Sequence, residues 1–206
     1  MTTTLLFDLG GVIMDIDRHR CIEAFEALGM PDIADFLGDY SQSGPFAGVE
    51  DGSVSPARFR DIIRRHIPHP VTDDEIDRAF CRFLIGIPRH RLVTLRELAK
   101  HYRVCLLSNT NPIMWNSFIA DQFTGEGLTR EDYFDGMVTS FEAHALKPAP
   151  EIFNYTADKL GLEPSETLFL DDSEANCEAA RRCGYHAAHV APGTEFTDTL
   201  KALELI

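Results

Sequence analysis

The sequence predicts a doubly wound α/β fold, a parallel sheet interrupted by a helical insertion. Three observations predict it. Short apolar runs recur along the chain, helical patterns separate most of them, and polar residues follow several of the runs directly.

The first run, Leu5–Phe7, stops on Asp8 and is followed by Gly10 and Gly11, in the stretch LLFDLGGVIMDID. From Asp17 to about Pro88 the rhythm breaks, with helical patterns but no convincing buried strand. His19–Leu28 reads as a helix stopped by Gly29. Ser55 followed by Pro56 reads as an N-cap and first helical position, opening a helix to about His66. Thr72-Asp73-Asp74-Glu75 opens another, running to about Ile85, with its acids well placed for the helix dipole. The intervening GPFAGVEDGSVS, residues 44–55, reads as a Gly- and Ser-rich loop. Phe46 and Glu50 could face a site from it, although a hinge loop would read the same way.

Ile87-Pro88 returns the chain to the sheet. Arg89–His101 is helical, and Val104–Leu107 is a strand ending at Ser108-Asn109-Thr110-Asn111. Met114, Trp115 and Phe118 read as a helix packed on the sheet. A third strand, Met137–Val138, precedes Lys147-Pro148 and a helix over Pro150–Leu160 that stops at Gly161. Leu168–Leu170 is the fourth strand and ends on Asp171-Asp172-Ser173. The helix Glu174–Cys183 stops at Gly184, and Ala187–Val190 is the last strand.

The composition narrows the classes. The 206 residues carry 44% hydrophobic and 25% charged side chains, ordinary for a globular protein. A formal net charge of −14 argues against nucleic acid and anionic membrane. A phosphorylated ligand stays open, because one bound cation inverts the field locally. No apolar stretch is long enough to span a bilayer, and no basic leader precedes the first strand. Cys21, Cys81, Cys105, Cys177 and Cys183 are scattered without a C-x-x-C pair, so buried reduced thiols in a cytoplasmic compartment are expected. The eight histidines form no ligand pair.

In an open parallel sheet, ligands bind beyond the carboxyl ends of the strands. Asp8, Ser108, Lys147 and Asp171-Asp172 are four polar signals at or after successive strand ends, and their chemistry converges. Three clustered carboxylates would repel one another unless a hard cation such as Mg²⁺ sat among them. Ser108 offers a hydroxyl donor and Lys147 a point charge for phosphoryl oxygens. A carboxylate in line with phosphorus acts as a nucleophile, so the chemistry implied is phosphoryl transfer to Asp8 and then to water.

The order Asp8-Leu9-Gly10-Gly11-Val12, Ser108-Asn109, Lys147-Pro148 and Asp171-Asp172 resembles the four motifs of the haloacid dehalogenase (HAD) superfamily, across essentially the whole chain. The stretches FDLGGVIMDID, LLSNTN, LKPAPEIF and LFLDDSEAN are most similar to bacterial alpha-D-glucose-1-phosphate phosphatases and to the phosphatase domain of soluble epoxide hydrolases. The resemblance implies a Rossmann-like core of residues 1–17 and 88–206 and an α-helical cap of residues 18–87. It implies a Mg²⁺-dependent phosphatase of a small phosphorylated metabolite, such as a sugar-1-phosphate. By the same resemblance Asp8 is nucleophile and metal ligand, the Gly10 carbonyl and Asp172 are further ligands, and Asp171 acts directly or through water. Ser108 and Asn109 would hold phosphate, and Lys147 would bridge phosphate and Asp8.

One position departs from the pattern. The family motif carries a second aspartate two residues after the nucleophile, as general acid for the leaving group, and here that position is Gly10. General acid–base catalysis is worth ~10²–10⁴ in rate. Three readings stand. A substitute acid, from Asp15, Asp17, a cap residue or water, serves a phosphatase, although Asp15 reads rather as a structural residue of the turn; the protein is a catalytically silent binder of a phosphorylated ligand; or it runs another family reaction. The last is narrowed by the residues. Dehalogenases need no Mg²⁺, against the intact Asp171-Asp172 pair, and phosphonoacetaldehyde hydrolases use a cap lysine, whereas residues 18–86 contain none. The eight arginines of the cap (Arg18, Arg20, Arg58, Arg60, Arg64, Arg65, Arg78 and Arg82) read mostly as a solvated helix face.

Overall fold

A computed structural model describes residues 2–38 and 42–206. Along the chain run the strands β1 (Thr4–Phe7), β2 (Asp15–Ile16), β3 (Leu84–Gly86), β4 (Arg103–Ser108), β5 (Gly136–Thr139), β6 (Thr167–Asp171) and β7 (His186–His189). Five of them form a parallel sheet in the order β5-β4-β1-β6-β7, so β1 is central, with Phe7 paired to both Leu106 and Leu170. Helices α1 (Arg18–Ala27), α2 (Gly44–Glu50), α3 (Pro56–Arg64) and α4 (Asp73–Cys81) lie between β2 and β3. Helix α5 (Arg89–Leu98) leads into β4. After β4, α6 (Pro112–Met114) continues through a π-helical turn, Trp115–Ile119, into α7 (Ala120–Gln122). Helices α8 (Ser140–Ala143) and α9 (Pro150–Leu160) connect β5 to β6, α10 (Glu174–Arg182) connects β6 to β7, and α11 (Phe196–Ala202) follows.

The period of two in the strands divides the core into two layers. Leu5, Phe7, Val104, Leu106, Leu168 and Leu170 pack with Leu95 and Leu98 of α5 and with Phe196 and Leu200 of α11. Leu6, Cys105, Leu107 and Phe169 face the other way, onto Ile152 and Phe153 of α9 and Ala179 and Ala180 of α10. Apolar side chains on both faces leave the strand ends as the place where polar groups of the sheet collect.

Helices α1 to α4 are held by their own aromatic cluster. Phe46 meets Phe59 and Phe80 edge-on with ring centroids 5.0 and 5.1 Å apart, and Phe25 lies 5.6 Å from Phe46. Thr72 and Glu75 form a reciprocal capping box that starts α4. Arg60 grips Asp77 through two hydrogen bonds of 2.8 and 2.7 Å, tying α3 to α4, and Arg64 reaches Asp61 and Asp73. Arg60 and Arg64 are therefore structural links, while Arg58, Arg65, Arg78 and Arg82 are exposed as expected.

Three expectations are corrected. Residues 44–50 are the helix α2 rather than a loop, because Phe46 and Val49 gain full burial on one face. Phe46 accordingly belongs to the aromatic cluster and does not face the site. The helix expected to reach Ile85 ends at Cys81, and Leu84–Gly86 pairs antiparallel with Asp15–Ile16, a short ribbon in a segment read as purely helical. All five cysteines are free thiols; Cys21, Cys105 and Cys177 are buried, whereas Cys81 and Cys183 are only partly so. Among the described residues no helix is long and apolar enough to cross a membrane.

Candidate active site at the strand ends

Asp8 is the residue immediately after β1, and its N–H continues the ladder by donating to Leu170 O at 2.9 Å. That bond fixes the backbone from which its carboxylate projects. Ser108 ends β4, Asp171 ends β6, and Lys147 arrives from the segment after β5 and α8. The sheet thus brings the strand-end residues to one place. Asp8, Gly10, Ser108, Asn109, Lys147 and Asp172 all line a cavity of about 100 Å³.

Lys147 is the hub, buried with only 4% of its surface exposed. Its ammonium lies 2.8 Å from Asp8 Oδ1 and donates to Asp171 Oδ2 at 2.7 Å and to Leu107 O at 3.2 Å. An ammonium has three protons, and these partners use all of them. Both neighbouring carboxylates hold the Lys147 pKa above its ordinary value, against the burial that would lower it.

Asp8 Oδ1 also accepts from Leu9 N at 2.6 Å, so Oδ1 is held from two sides. Oδ2 has no hydrogen bond among the described residues and is the oxygen left for chemistry. Asp171 is different. It is fully buried, and its Oδ1 accepts from Ser173 N at 2.8 Å and Asn176 Nδ2 at 2.9 Å, while Oδ2 takes Lys147. Both its oxygens carry protein hydrogen bonds, which favours action through water over direct ligation.

Asp8, Asp171 and Asp172 each offer an oxygen within 4.8 Å of the others. Three carboxylates meet a single buried cation, and the imbalance appears in the protonation of Asp8 and Asp172. Burial, Asp171 and Asp172 raise the Asp8 carboxyl well above its ordinary value, with Lys147 pulling the other way. Burial and Asp171 push Asp172 up to about 6. A hard divalent cation among these oxygens would remove the excess negative charge, and an all-oxygen donor set of this kind suits Mg²⁺.

Two glycines divide the labour of the turn after Asp8. Gly11 has φ +77°, and a Cβ there would stand 2.2 Å from Asp172 Oδ2. Only glycine allows the turn to pass so close to that carboxylate. Gly10 is not in the left-handed region, and a Cβ there would meet only Ile16 at an ordinary 3.6 Å.

The remaining expected residues sort clearly. Asn109 lines the cavity, but its side-chain amide is committed to the Lys147 main chain, donating to O at 3.0 Å and accepting from N at 2.9 Å. Neither Asp15 nor Asp17 lines the cavity. Asp15 accepts from Arg91 at 2.7 Å, and Asp17 caps α1 by accepting from His19 N at 2.9 Å. None of the eight arginines lines it either.

Several lining residues come from outside the strand ends. Glu50, at the end of α2, borders the cavity, as do Ile16, Gln42, Phe80, Phe83 and Leu84. Met114, read from sequence as packing, lines it too. Ser140 was missed altogether. It is fully buried; its Oγ accepts from Thr110 N at 3.0 Å and lies 2.7 Å from Glu50 O and 2.9 Å from Thr110 O. It pins the end of α2 against the loop after β4. No sequence pattern marks Ser140 or Asn176, whose contacts arise only when distant segments meet.

Comparison with known proteins is consistent with this arrangement. A family model for haloacid dehalogenase-like hydrolases matches residues 2–184. The chain is 34% identical over 203 residues to a D-ribitol-5-phosphate phosphatase of Bacteroides thetaiotaomicron, covering 98% of each chain. It superposes with a TM-score of 0.90, at 39% identity, on a HAD family enzyme of the same organism crystallised with magnesium and inorganic phosphate, covering 97% of this chain and 99% of that one. A shorter match, 31% identical over 80 residues, or 36% of this chain and 14% of the other, links it to the bifunctional epoxide hydrolase 2 of Mus musculus.

Proposed function

This chain belongs to the haloacid dehalogenase-like hydrolases, and on that premise we propose that it is a Mg²⁺-dependent phosphatase of a small phosphorylated polyol or sugar. The observation that carries the reading is the asymmetry of Asp8. One carboxylate oxygen is locked by Leu9 N and Lys147, and the other has no hydrogen bond among the described residues, in a side chain that lines the cavity.

In the first step Asp8 Oδ2 attacks phosphorus. An aspartyl-phosphate bond forms as the ester P–O bond breaks, and its electron pair leaves on the ester oxygen. Ser108 donates its hydroxyl to a non-bridging oxygen. Lys147, whose protons are all taken, acts by its charge at short range and by holding Asp8 and Asp171 together. In the second step water attacks the phosphorus, phosphate leaves, and Asp8 is restored. Asp8, Asp172 and the Gly10 carbonyl would hold Mg²⁺, with Asp171 acting through water, and the ion would neutralise the phosphoryl charge.

The carbon skeleton of the substrate would lie beneath residues 18–87, which we take as a cap, because Gln42, Glu50, Phe80, Phe83 and Leu84 line the cavity from that segment. Its size favours a small molecule, since sites for drug-sized ligands run to roughly 300–1,000 Å³. The similarity to a D-ribitol-5-phosphate phosphatase extends the substrate class from the sugar-1-phosphates implied by sequence to phosphates on a primary alcohol. The test is a panel of pentitol phosphates, sugar-1-phosphates and sugar-6-phosphates assayed with and without Mg²⁺. Phosphate release that needs Mg²⁺ supports the reading; no release from any of them, nor from an aryl phosphate, contradicts it.

A further inference from the structure

The glycine at position 10 leaves the leaving-group oxygen without the acid that the family motif would place there, and the cavity contains a replacement. Among the described residues, six side chains with a proton to give or take line it: Asp8, Asp172, Lys147, Ser108, Thr110 and Glu50. Asp8 is the nucleophile of the proposed reaction, and Asp172 belongs to the carboxylate cluster. Lys147 has no proton free. A hydroxyl such as Ser108 or Thr110 is too weak an acid for the task. Asp15 and Asp17 are engaged elsewhere, with Arg91 and with the start of α1.

We propose that Glu50 is the general acid–base of this site, reaching the leaving group from α2 while Asp8 attacks from the sheet. The inference rests on the phosphatase reading and adds a catalytic residue to it. As the ester P–O bond breaks, the carboxyl proton of Glu50 passes to the leaving oxygen, and the neutral alcohol departs. The Glu50 carboxylate then takes a proton from the attacking water as its oxygen bonds to phosphorus and the Asp8 O–P bond breaks. Every proton is returned and both carboxyls end as they began.

Three features support the assignment. First, the position is built. Glu50 O lies 2.7 Å from Ser140 Oγ, which also accepts from Thr110 N, so the end of α2 is anchored to the loop that follows Ser108. Second, no hydrogen bond among the described residues engages the Glu50 carboxyl, leaving it available at the cavity. Third, the surrounding protein and the neighbouring Asp51 push that carboxyl up to about 8, so it holds its proton at neutral pH. A pair of carboxyls with separate roles, one nucleophile and one protonated acid, is a recurring way of dividing such a reaction.

The test is a series of phosphate esters graded in leaving-group acidity, from 4-nitrophenyl phosphate to a pentitol phosphate, hydrolysed by the wild type and by Glu50→Gln with Mg²⁺. Glutamine keeps the size and hydrogen bonding of a protonated acid and cannot give up a proton usefully. The wild type should show a shallow dependence on leaving group. Glu50→Gln should lose ~10²–10⁴ in kcat on the alkyl ester, the usual worth of acid–base help, and less than about tenfold on the aryl ester. Preserved thermal melting and aryl activity show that the variant is folded. Equal losses across the series, or none, overturn the assignment of Glu50 and leave the phosphatase reading intact. A wild type inert on every ester overturns both.

Discussion

The side-chain amide of Asn109 makes both of its hydrogen bonds to the main chain of Lys147, donating from Nδ2 to O at 3.0 Å and accepting at Oδ1 from N at 2.9 Å. The end of β4 is thereby fastened to the segment that delivers the buried ammonium to Asp8 and Asp171. Asn109 serves the site by positioning Lys147, in addition to bordering the cavity.

Asn109→Ala should therefore lower kcat with a smaller effect on KM, because Lys147 loses its fixed approach to Asp8. Leaving partly buried main-chain groups unpaired should also cost about 1–3 kcal/mol of stability. Asn109→Asp, which keeps the acceptor and loses the donor, should fall between. Steady-state kinetics and urea unfolding of the two variants check both effects.

Gly10 and Gly11 should respond oppositely to alanine. Gly11→Ala places a methyl group against Asp172 at a positive φ. It should cost about 1–3 kcal/mol in backbone strain and abolish or severely reduce Mg²⁺-dependent turnover. Gly10→Ala meets only ordinary contact with Ile16 and should fold and bind Mg²⁺ like the wild type. Thermal melting and Mg²⁺ titration of the pair provide the comparison.

Metal dependence should follow the carboxylate cluster. The wild type should be inert in EDTA and recover on adding Mg²⁺. Asp172→Ala should abolish that recovery or demand far more metal. Asn176→Ala removes the 2.9 Å hydrogen bond to Asp171 Oδ1, leaving that oxygen held by Ser173 N alone, and should weaken Mg²⁺ by about 10–100-fold. Calorimetric titration with Mg²⁺ alone reads these effects without turnover. Full activity after chelation would point to chemistry of the dehalogenase kind.

Arg91 ties the turn after β1 to the chain before α11. Its guanidinium, with 9% of the side chain exposed, donates to Glu195 twice at 2.9 Å, to Asp15 at 2.7 Å and to Ile13 O at 3.2 Å. Hydrogen bonds from Arg91 and His90 hold the Glu195 carboxyl down to about 2 from 4.5. Because the folded value is depressed, this stability is fully present above 4.5 and is lost as pH falls toward 2. Arg91→Met should cost about 1–2 kcal/mol at neutral pH, discounted for the exposure of the partners. It should also flatten the stability curve between those pH values, as measured by urea unfolding.

The strands and their polar ends were legible because each is a local signal, an apolar run that stops on a residue of distinct chemistry. The central position of β1 agrees with Asp8 lying among Ser108, Lys147 and Asp171. The ribbon of β2 and β3 was not legible, since two and three residues are too short to show a period. Helix α2 was hidden because its GPFAGVE contains two glycines and a proline, and local propensity says loop. Burial of Phe46 against Phe25, Phe59 and Phe80 overrides that propensity, and the resulting helix sets Glu50 at the cavity. Asp17 looked like a substitute acid because it is near Asp8 in sequence, as did Asp15, although Asp15 read rather as a structural residue of the turn. Arg91 and the start of α1 claim them, a competition visible only in three dimensions.

The claim on which the rest depends is that Asp8 attacks phosphorus, and Asp8→Asn tests it most directly. The substitution keeps shape and volume and replaces a nucleophilic oxygen with an amide. The measurement is phosphate release from 4-nitrophenyl phosphate in saturating Mg²⁺, on protein whose melting transition matches the wild type. A folded variant with no release above the uncatalysed rate is the predicted result. Retained hydrolysis by folded Asp8→Asn would contradict it and remove Asp8 from the mechanism.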